Sequence, residues 1–366
     1  MKKTKLYNIH EKAGAKIVEF AGYQMPIQYS SIIAEHKAVR NSVGVFDVSH
    51  MGEVFVKGAQ ALDFVQHITI NDASKLIDGR VQYSAMCYED GGIVDDLLVY
   101  RISANEFLLV VNASNLEKDF NWMKENNKFD AVLTDKSDEY SLLAVQGPGS
   151  LKVMNAICAD DLSGLEYYHF LFTKIGSKDV IVSCTGYTGE LGYEIYFTGS
   201  ETEAEEIWNK IFAQKETSGY DIQPVGLGAR DSLRLEMGFC LYGNDIDKTT
   251  NPLEAGLGWI TKLNKESFIG KNSLQNIKSE GLKRRLCGLE SDEKVFPRHG
   301  YEITAGGKKA GIVTSGTVSP VLEKPIAMGY VDKDFSAEGS VVNIIIRGKE
   351  VPFKVVKLPF IKKLKV

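Results

Sequence analysis

The chain has no apolar run near the ~20 residues that a membrane-crossing helix needs; stretches such as Phe107–Val111 and Ile344–Ile346 are far shorter. No membrane partner is expected. The basic start, Met1 to Lys5, leads into Asn8, His10, Glu11 and Lys12 rather than an apolar segment, so no secretory signal is read and a cytoplasmic location is expected. Cysteine is scarce: Cys87, Cys158, Cys184, Cys240 and Cys287 are scattered, odd in number and without a C-x-x-C pair. That disfavours a disulfide framework or thiolate metal site and leaves the five as small buried hydrophobes.

Other signatures are missing too. There is no H-E-x-x-H helix, Gly270-Lys271-Asn272 lacks the rest of a P-loop, no strand leads into G-x-G-x-x-G, and no G-x-S-x-G elbow occurs. The six histidines are dispersed. Neither a metal nor NAD is therefore expected. With 43 Lys and Arg against 48 Asp and Glu, the net charge of -5 disfavours a general binder of nucleic acid.

What is present is ordinary soluble protein: 366 residues, 44% apolar and 25% charged, enough for two or three compact units. Ser31 can cap a helix through Ile32, Ile33, His36 and Val39 that ends before Val43. Val54-Phe55-Val56 reads as a strand, Ala61 to Ile68 as a helix, and Val81 to Val111 as strands joined at Glu89-Asp90-Gly91-Gly92 and Ser103-Ala104-Asn105. Ser114-Asn115-Leu116-Glu117 has the form of a capping box before another helix. Alternation returns in Ala131 to Gln146, a helix starts near Pro148, strands fill Phe170 to Ile175 and Val180 to Phe197, and Glu201 to Phe212 is an amphipathic helix. From about Leu286 short β runs follow, with turns at Ala305-Gly306-Gly307, Ser315-Gly316 and Arg347-Gly348, and suggest a small separate barrel. The rhythm is α+β.

Three segments could carry chemistry. In the hairpin Tyr83 to Tyr100, strand alternation puts Asp96, Leu98 and Tyr100 on one face and Asp95, Leu97 and Val99 on the other. One carboxylate enters each face, and aspartate is poor strand material. A pair that closes the Gly91-Gly92 turn and a functional carboxylate are both open readings. Thr185-Gly186-Tyr187-Thr188-Gly189-Glu190-Leu191-Gly192-Tyr193-Glu194 has glycines that permit close backbone approach, and Glu194 could accept parallel N–H bonds from an amidine-like edge such as a pterin's, or be a solvated glutamate in a hairpin. Gly226 to Asp231 opens a helix on which Arg230 could meet a buried acid, a ligand or solvent.

The chain resembles the T-protein family of the glycine cleavage system. The resemblance rests on Phe20-Ala21-Gly22 through Met25-Pro26, Val45 to Glu53, Gly91-Gly92 through Asp95-Asp96-Leu97, Gln146-Gly147-Pro148, Thr185 to Glu190, Gly228 to Glu236, and Asn251-Pro252. It implies an α+β, three-domain cloverleaf around a central folate cavity, with a C-terminal β barrel. The implied divisions are 1–52 with 138–250, 53–137 with 251–280, and 281–366. It further implies tetrahydrofolate as co-substrate without metal, NAD or flavin, and transfer of the methylene of aminomethyl-lipoyl H-protein to tetrahydrofolate with release of ammonia. Association with the P- and L-proteins of that system is implied as well. Asp96 would be catalytic; Tyr83, Leu98, Tyr100, Asn112, Tyr168, Tyr187, Glu194 and Arg230 would surround the folate, and Lys362 would offset its glutamate tail. Tyr23 stands where the family usually has tryptophan, and Lys362 where arginine can occur. The H-protein, typically acidic, would dock on Lys283-Arg284-Arg285 or on Lys362, Lys363 and Lys365. The alternatives are a folate-dependent demethylase of a small methylated donor and a non-catalytic folate-binding assembly factor. The latter would carry a K-G-C-Y-x-G-Q-E type segment in place of Thr185 to Glu190.

Overall fold

A computed structural model describes residues 1–362. Its first large sheet has six strands in the order Phe170–Ile175, Lys178–Ser183, Gly192–Thr198, Tyr140–Gln146, Val43–Asp47 and Ile222–Pro224. Only the last pairing is parallel. Period-2 alternation assigns its two faces. Val43, Val45, Leu143, Val145, Ile195 and Phe197 pack under the helices Ser150–Ile157 and Glu201–Ala213, while Phe46, Leu142, Ala144 and Tyr196 point the other way.

The second sheet is antiparallel, in the order Arg80–Cys87, Ile93–Ser103, Glu106–Val111, Gly52–Lys57, Val132–Asp135. Val54, Val56, Leu97, Val99, Phe107 and Leu109 face the helices Ala61–Ile68 and Leu116–Glu125. Its opposite face sends Val81, Tyr100, Leu108 and Val110 into one core with Phe46, Leu142 and Tyr196 of the first sheet. Two sheets, each backed by helices, thus meet face to face, and the cavity described below opens between them. Residues 284–356 form a closed six-stranded barrel around Leu289, Ile303, Val313, Val342, Ile344 and Phe353.

Buried ionic clusters join the barrel to the helix Leu227–Glu236. Arg234 donates to Asp245 (2.6 Å), Asp231 (2.8 Å) and Ser315 Oγ (2.8 Å), and Asp245 also accepts from Thr314 and Ser315 of the barrel. Glu236 is bound by His36, Arg40 and Ser319.

Most expected elements are present, including the helix Ile32–Asn41, with Ser31 Oγ accepting from the Ala34 N–H at 3.2 Å. Two expectations fail. Ser315 and Gly316 lie inside the strand Lys308–Val318 instead of in a turn; the chain bulges between Val313 and Ser315, and a Cβ on Gly316 would sit 2.6 Å from the Pro297 carbonyl. Here glycine marks a bulge and a close backbone approach. The second is the capping box at Ser114: a single 3-10 turn precedes a helix that starts at Leu116 with no side-chain cap, because Asn115 gives its amide to Asp95 instead. The capping box that does form is Ser200 with Glu203.

Candidate active site

A cavity of about 1120 Å³ lies between the two sheets and reaches the barrel. Pockets for drug-sized ligands are about 300–1,000 Å³, so there is room for a large ligand. Among the described residues, Tyr83, Asp96, Leu98, Asn112, Tyr168, Tyr187, Glu194 and Arg230 line it. Two residues named from the sequence do not. Tyr100 is fully buried behind the wall, its hydroxyl paired with Tyr196 (2.9 Å) and Thr185 (3.3 Å). Lys362 is exposed at the end of the described residues and is not part of the lining; Arg285 and Lys357 are the basic residues on the barrel side.

The hairpin sets the acid. The turn at Asp90-Gly91-Gly92 needs Gly91 at φ 90°, and a Cβ on Gly92 would sit 2.2 Å from the Lys248 carbonyl. From that turn Asp95 points into the helix-covered core and Asp96 toward the cavity. Asp95 accepts the Asn112 backbone N–H (3.0 Å) and the side-chain amides of Asn112 (2.9 Å) and Asn115 (2.7 Å). Asp96 accepts the Tyr83 hydroxyl at 2.8 Å and the Asn112 amide at 2.8 Å. Burial, with the neighbouring Asp95 charge second, holds the Asp96 carboxyl well above the usual carboxylate range. Tyr83 also stacks on Trp259, whose ring is 65% exposed at the rim.

Across the cavity, Glu194 accepts from the Thr185 hydroxyl, and burial raises its carboxyl while the Arg230 charge partly offsets the rise. Arg230 lies over the Tyr187 ring, 4.6 Å from its centroid, and Tyr187 stacks on Phe239 and donates to the Cys240 carbonyl. The Thr-Gly-Tyr-Thr-Gly loop is held by Gln146, whose amide donates to the Thr185 carbonyl (3.1 Å) and accepts from Thr188 (2.8 Å). A Cβ on Gly186 or Gly192 would strike that amide, at 2.1 and 2.2 Å. Ala21 (φ 50°) and Tyr168 (φ 63°), two of the described non-glycine residues with positive φ, both line the cavity. Such conformations cost on the order of 1 kcal/mol each and concentrate at functional sites.

His50, Tyr167, Trp259 and Phe239 line the cavity without having been singled out as site residues. His50 had a signal: it sits inside the quoted Val45–Glu53 motif. Its Nδ1 is buried without a hydrogen-bond partner, and burial, with the Arg230 charge second, lowers its pKa to about 4. The wall therefore holds a neutral imidazole with a free polar atom.

Residues 6–265 match the GCVT N-terminal domain family, and residues 284–362 match the glycine cleavage T-protein C-terminal barrel domain. The chain belongs to the glycine cleavage T-protein family. It is 55% identical over 365 residues to the aminomethyltransferase of Flavobacterium psychrophilum, covering 99% of this chain and 100% of that one. To the aminomethyltransferase of Halothermothrix orenii it is 50% identical over 361 residues, with 99% and 100% covered. The crystal structure of the glycine cleavage system aminomethyltransferase T from Bartonella henselae superposes with a TM-score of 0.92 at 34% identity, covering 99% of this chain and 98% of that one. In this T-protein family member, no helix among the described residues is long and apolar enough to cross a membrane.

Proposed function

We propose that this chain is an aminomethyltransferase that moves the methylene of an aminomethyl-lipoyl carrier, the H-protein, onto tetrahydrofolate, releasing ammonia and forming 5,10-methylenetetrahydrofolate. The observation that carries the reading is the single cavity in which Asp96, Asn112 and Tyr83 face the Glu194, Arg230 and Tyr187 group. The donor set fits a reduced folate. Glu194 offers a carboxylate to the N–H edge of a pterin, tyrosine rings offer apolar faces, and Arg285 and Lys357 at the barrel end replace Lys362 as candidates for the glutamate tail.

Tetrahydrofolate, when bound, supplies the nucleophilic nitrogens that receive the carbon. Asp96, ionised, would orient that ligand, stabilise positive charge developing along the transfer and hold a proton at its carboxylate. Asn112 and Tyr83 hold the carboxylate in place. We assign the P- and L-proteins as functional partners in the same system. The three divisions expected from the sequence are kept as a proposal, each containing one of the large β structures.

The carrier would dock at the rim. Of the two basic segments, Arg284 is engaged with Glu254 (3.0 Å) and the Tyr330 ring, which leaves Lys283 and Arg285 exposed; Lys363 and Lys365 lie outside the described residues.

Tetrahydrofolate binding tests the acceptor half of this reading. In Glu194→Gln an amide donor faces ligand donors, so affinity should fall by roughly 2 kcal/mol, near 30-fold. Calorimetry that finds equal affinity in wild type and Glu194→Gln would remove Glu194 from the folate site.

A further inference from the structure

Behind Asp95 lies a third carboxyl, that of Asp119 on the helix Leu116–Glu125. It is fully buried, and beyond the Lys118 ammonium no N–H or O–H donor reaches either oxygen. The nearest cation, Lys118 Nζ, is 3.3 Å from Oδ1, but it also donates to the Val94 carbonyl and the Tyr242 hydroxyl and lies over the Tyr242 ring. An ionised Asp119 would therefore be a buried charge with little compensation.

The Asp119 and Asp95 carboxyl groups act directly on one another, and a hydrogen bond between two such groups requires a proton between them. Asp95 already accepts three N–H bonds, so its ionised form is the better solvated of the two. The proton belongs on Asp119. From Asp95 the connection continues through one group, the Asn112 amide, which donates to Asp95 Oδ1 and to Asp96 Oδ1.

We propose that Asp119 is a positioning residue: as a neutral acid donating to Asp95, it fixes Asp95 and Asn112 and thereby sets the orientation and charge state of Asp96. This rests on the catalytic reading of Asp96 above. Burial and the Asp95 charge push the Asp119 carboxyl up to about 10, in agreement with the geometry. The groups facing this chain are Lys118 on Asp119's own helix, Tyr242 across from it, and Tyr83, Tyr187 and Cys240 around Asp96. Burial raises the three tyrosines and Cys240 above their ordinary values, which leaves the Asp96 carboxyl as the group among them that titrates near neutrality.

The test is the pH profile of methylene transfer in the full chain for Asp119→Leu and Asp119→Asn, beside thermal unfolding and tetrahydrofolate affinity. Asp119→Leu removes the donor, so Asp95 takes up a proton more readily and its charge no longer opposes that of Asp96. The acid limb should then move down by roughly one pH unit. Asp119→Asn restores a neutral donor that cannot titrate, and should return the limb to its wild-type position. If Asp119→Leu does not fold, infrared difference spectra of Asp119→Asn against wild type at neutral pH decide: loss of a protonated carboxyl carbonyl stretch is expected. A limb that stays in place or moves up in Asp119→Leu, or no lost carboxyl band in Asp119→Asn, overturns the proposal. An active Asp96→Asn enzyme would instead overturn the reading on which it rests.

Discussion

Asp96→Asn should fold, bind tetrahydrofolate with little change and lose about 10²- to 10⁴-fold in kcat, the range for removing a positioned acid or base. The substitution fits because both neighbours tolerate it. Asn112 can still donate to the remaining carbonyl oxygen, and the Tyr83 hydroxyl, now a donor at 2.8 Å, can rotate to accept from the new amide. Only the charge is lost. Asp95→Asn should behave differently, since its amide would face three N–H donors in a dry core and cost stability more than chemistry. In the wild type, transfer should fall on the acid side around a midpoint above the ~3.9 of a free aspartate. The sign follows from the raised carboxyl: Asp96 takes up its proton, and loses the charge the reaction uses, at a higher pH than an exposed aspartate does. Single-turnover kinetics and folate titrations on the same preparations check each part.

Arg234→Met should cost about 3–5 kcal/mol, the penalty for leaving a buried charge without its partner. Asp245 is fully buried and would keep Thr314, Ser315 and the Leu241 N–H while losing the guanidinium. Because Arg234 and Asp245 join the Leu227–Glu236 helix to the barrel, the loss should appear as a lower midpoint or an additional step in thermal unfolding. Adding Asp245→Asn should recover part of it by removing the orphaned charge. A double variant no more stable than Arg234→Met would place the cost in lost packing instead.

The Asp-Asp pair was legible because strand alternation is strict, so one carboxylate had to enter each face. Which face held the cavity was not, because that depends on which side the helices Ala61–Ile68 and Leu116–Glu125 cover. Tyr100 shows the same limit. Alternation places it with Asp96 and Leu98, but four residues along the strand the second sheet has closed on the first, and the Tyr196 hydroxyl meets it before a ligand can. Nothing in the sequence marks Arg234 and Glu236 as buried; they are buried because the barrel, more than 70 residues further on, brings Ser315 and Ser319 to them. Gly316 carried a turn signal whose other meaning, a bulge against Pro297, needed the tertiary neighbour to be visible. The loop from Thr185 to Glu190 was readable as a close-approach segment, yet its cause, the Gln146 amide beneath Gly186 and Gly192, comes from another strand.

The most direct test of the function is the identity of the donor, since folate binding alone would fit a demethylase or an assembly factor equally well. Purified enzyme with tetrahydrofolate would be given aminomethyl-lipoyl H-protein in one arm and free methylated amines or sulfonium compounds in the other, with ammonia and 5,10-methylenetetrahydrofolate measured together. We expect equal amounts of both products from the lipoyl carrier, at a rate that falls with added salt and with charge reversal at Lys283 and Arg285, and no transfer from the free donors. Transfer from a free methylated donor with none from the carrier would contradict the account.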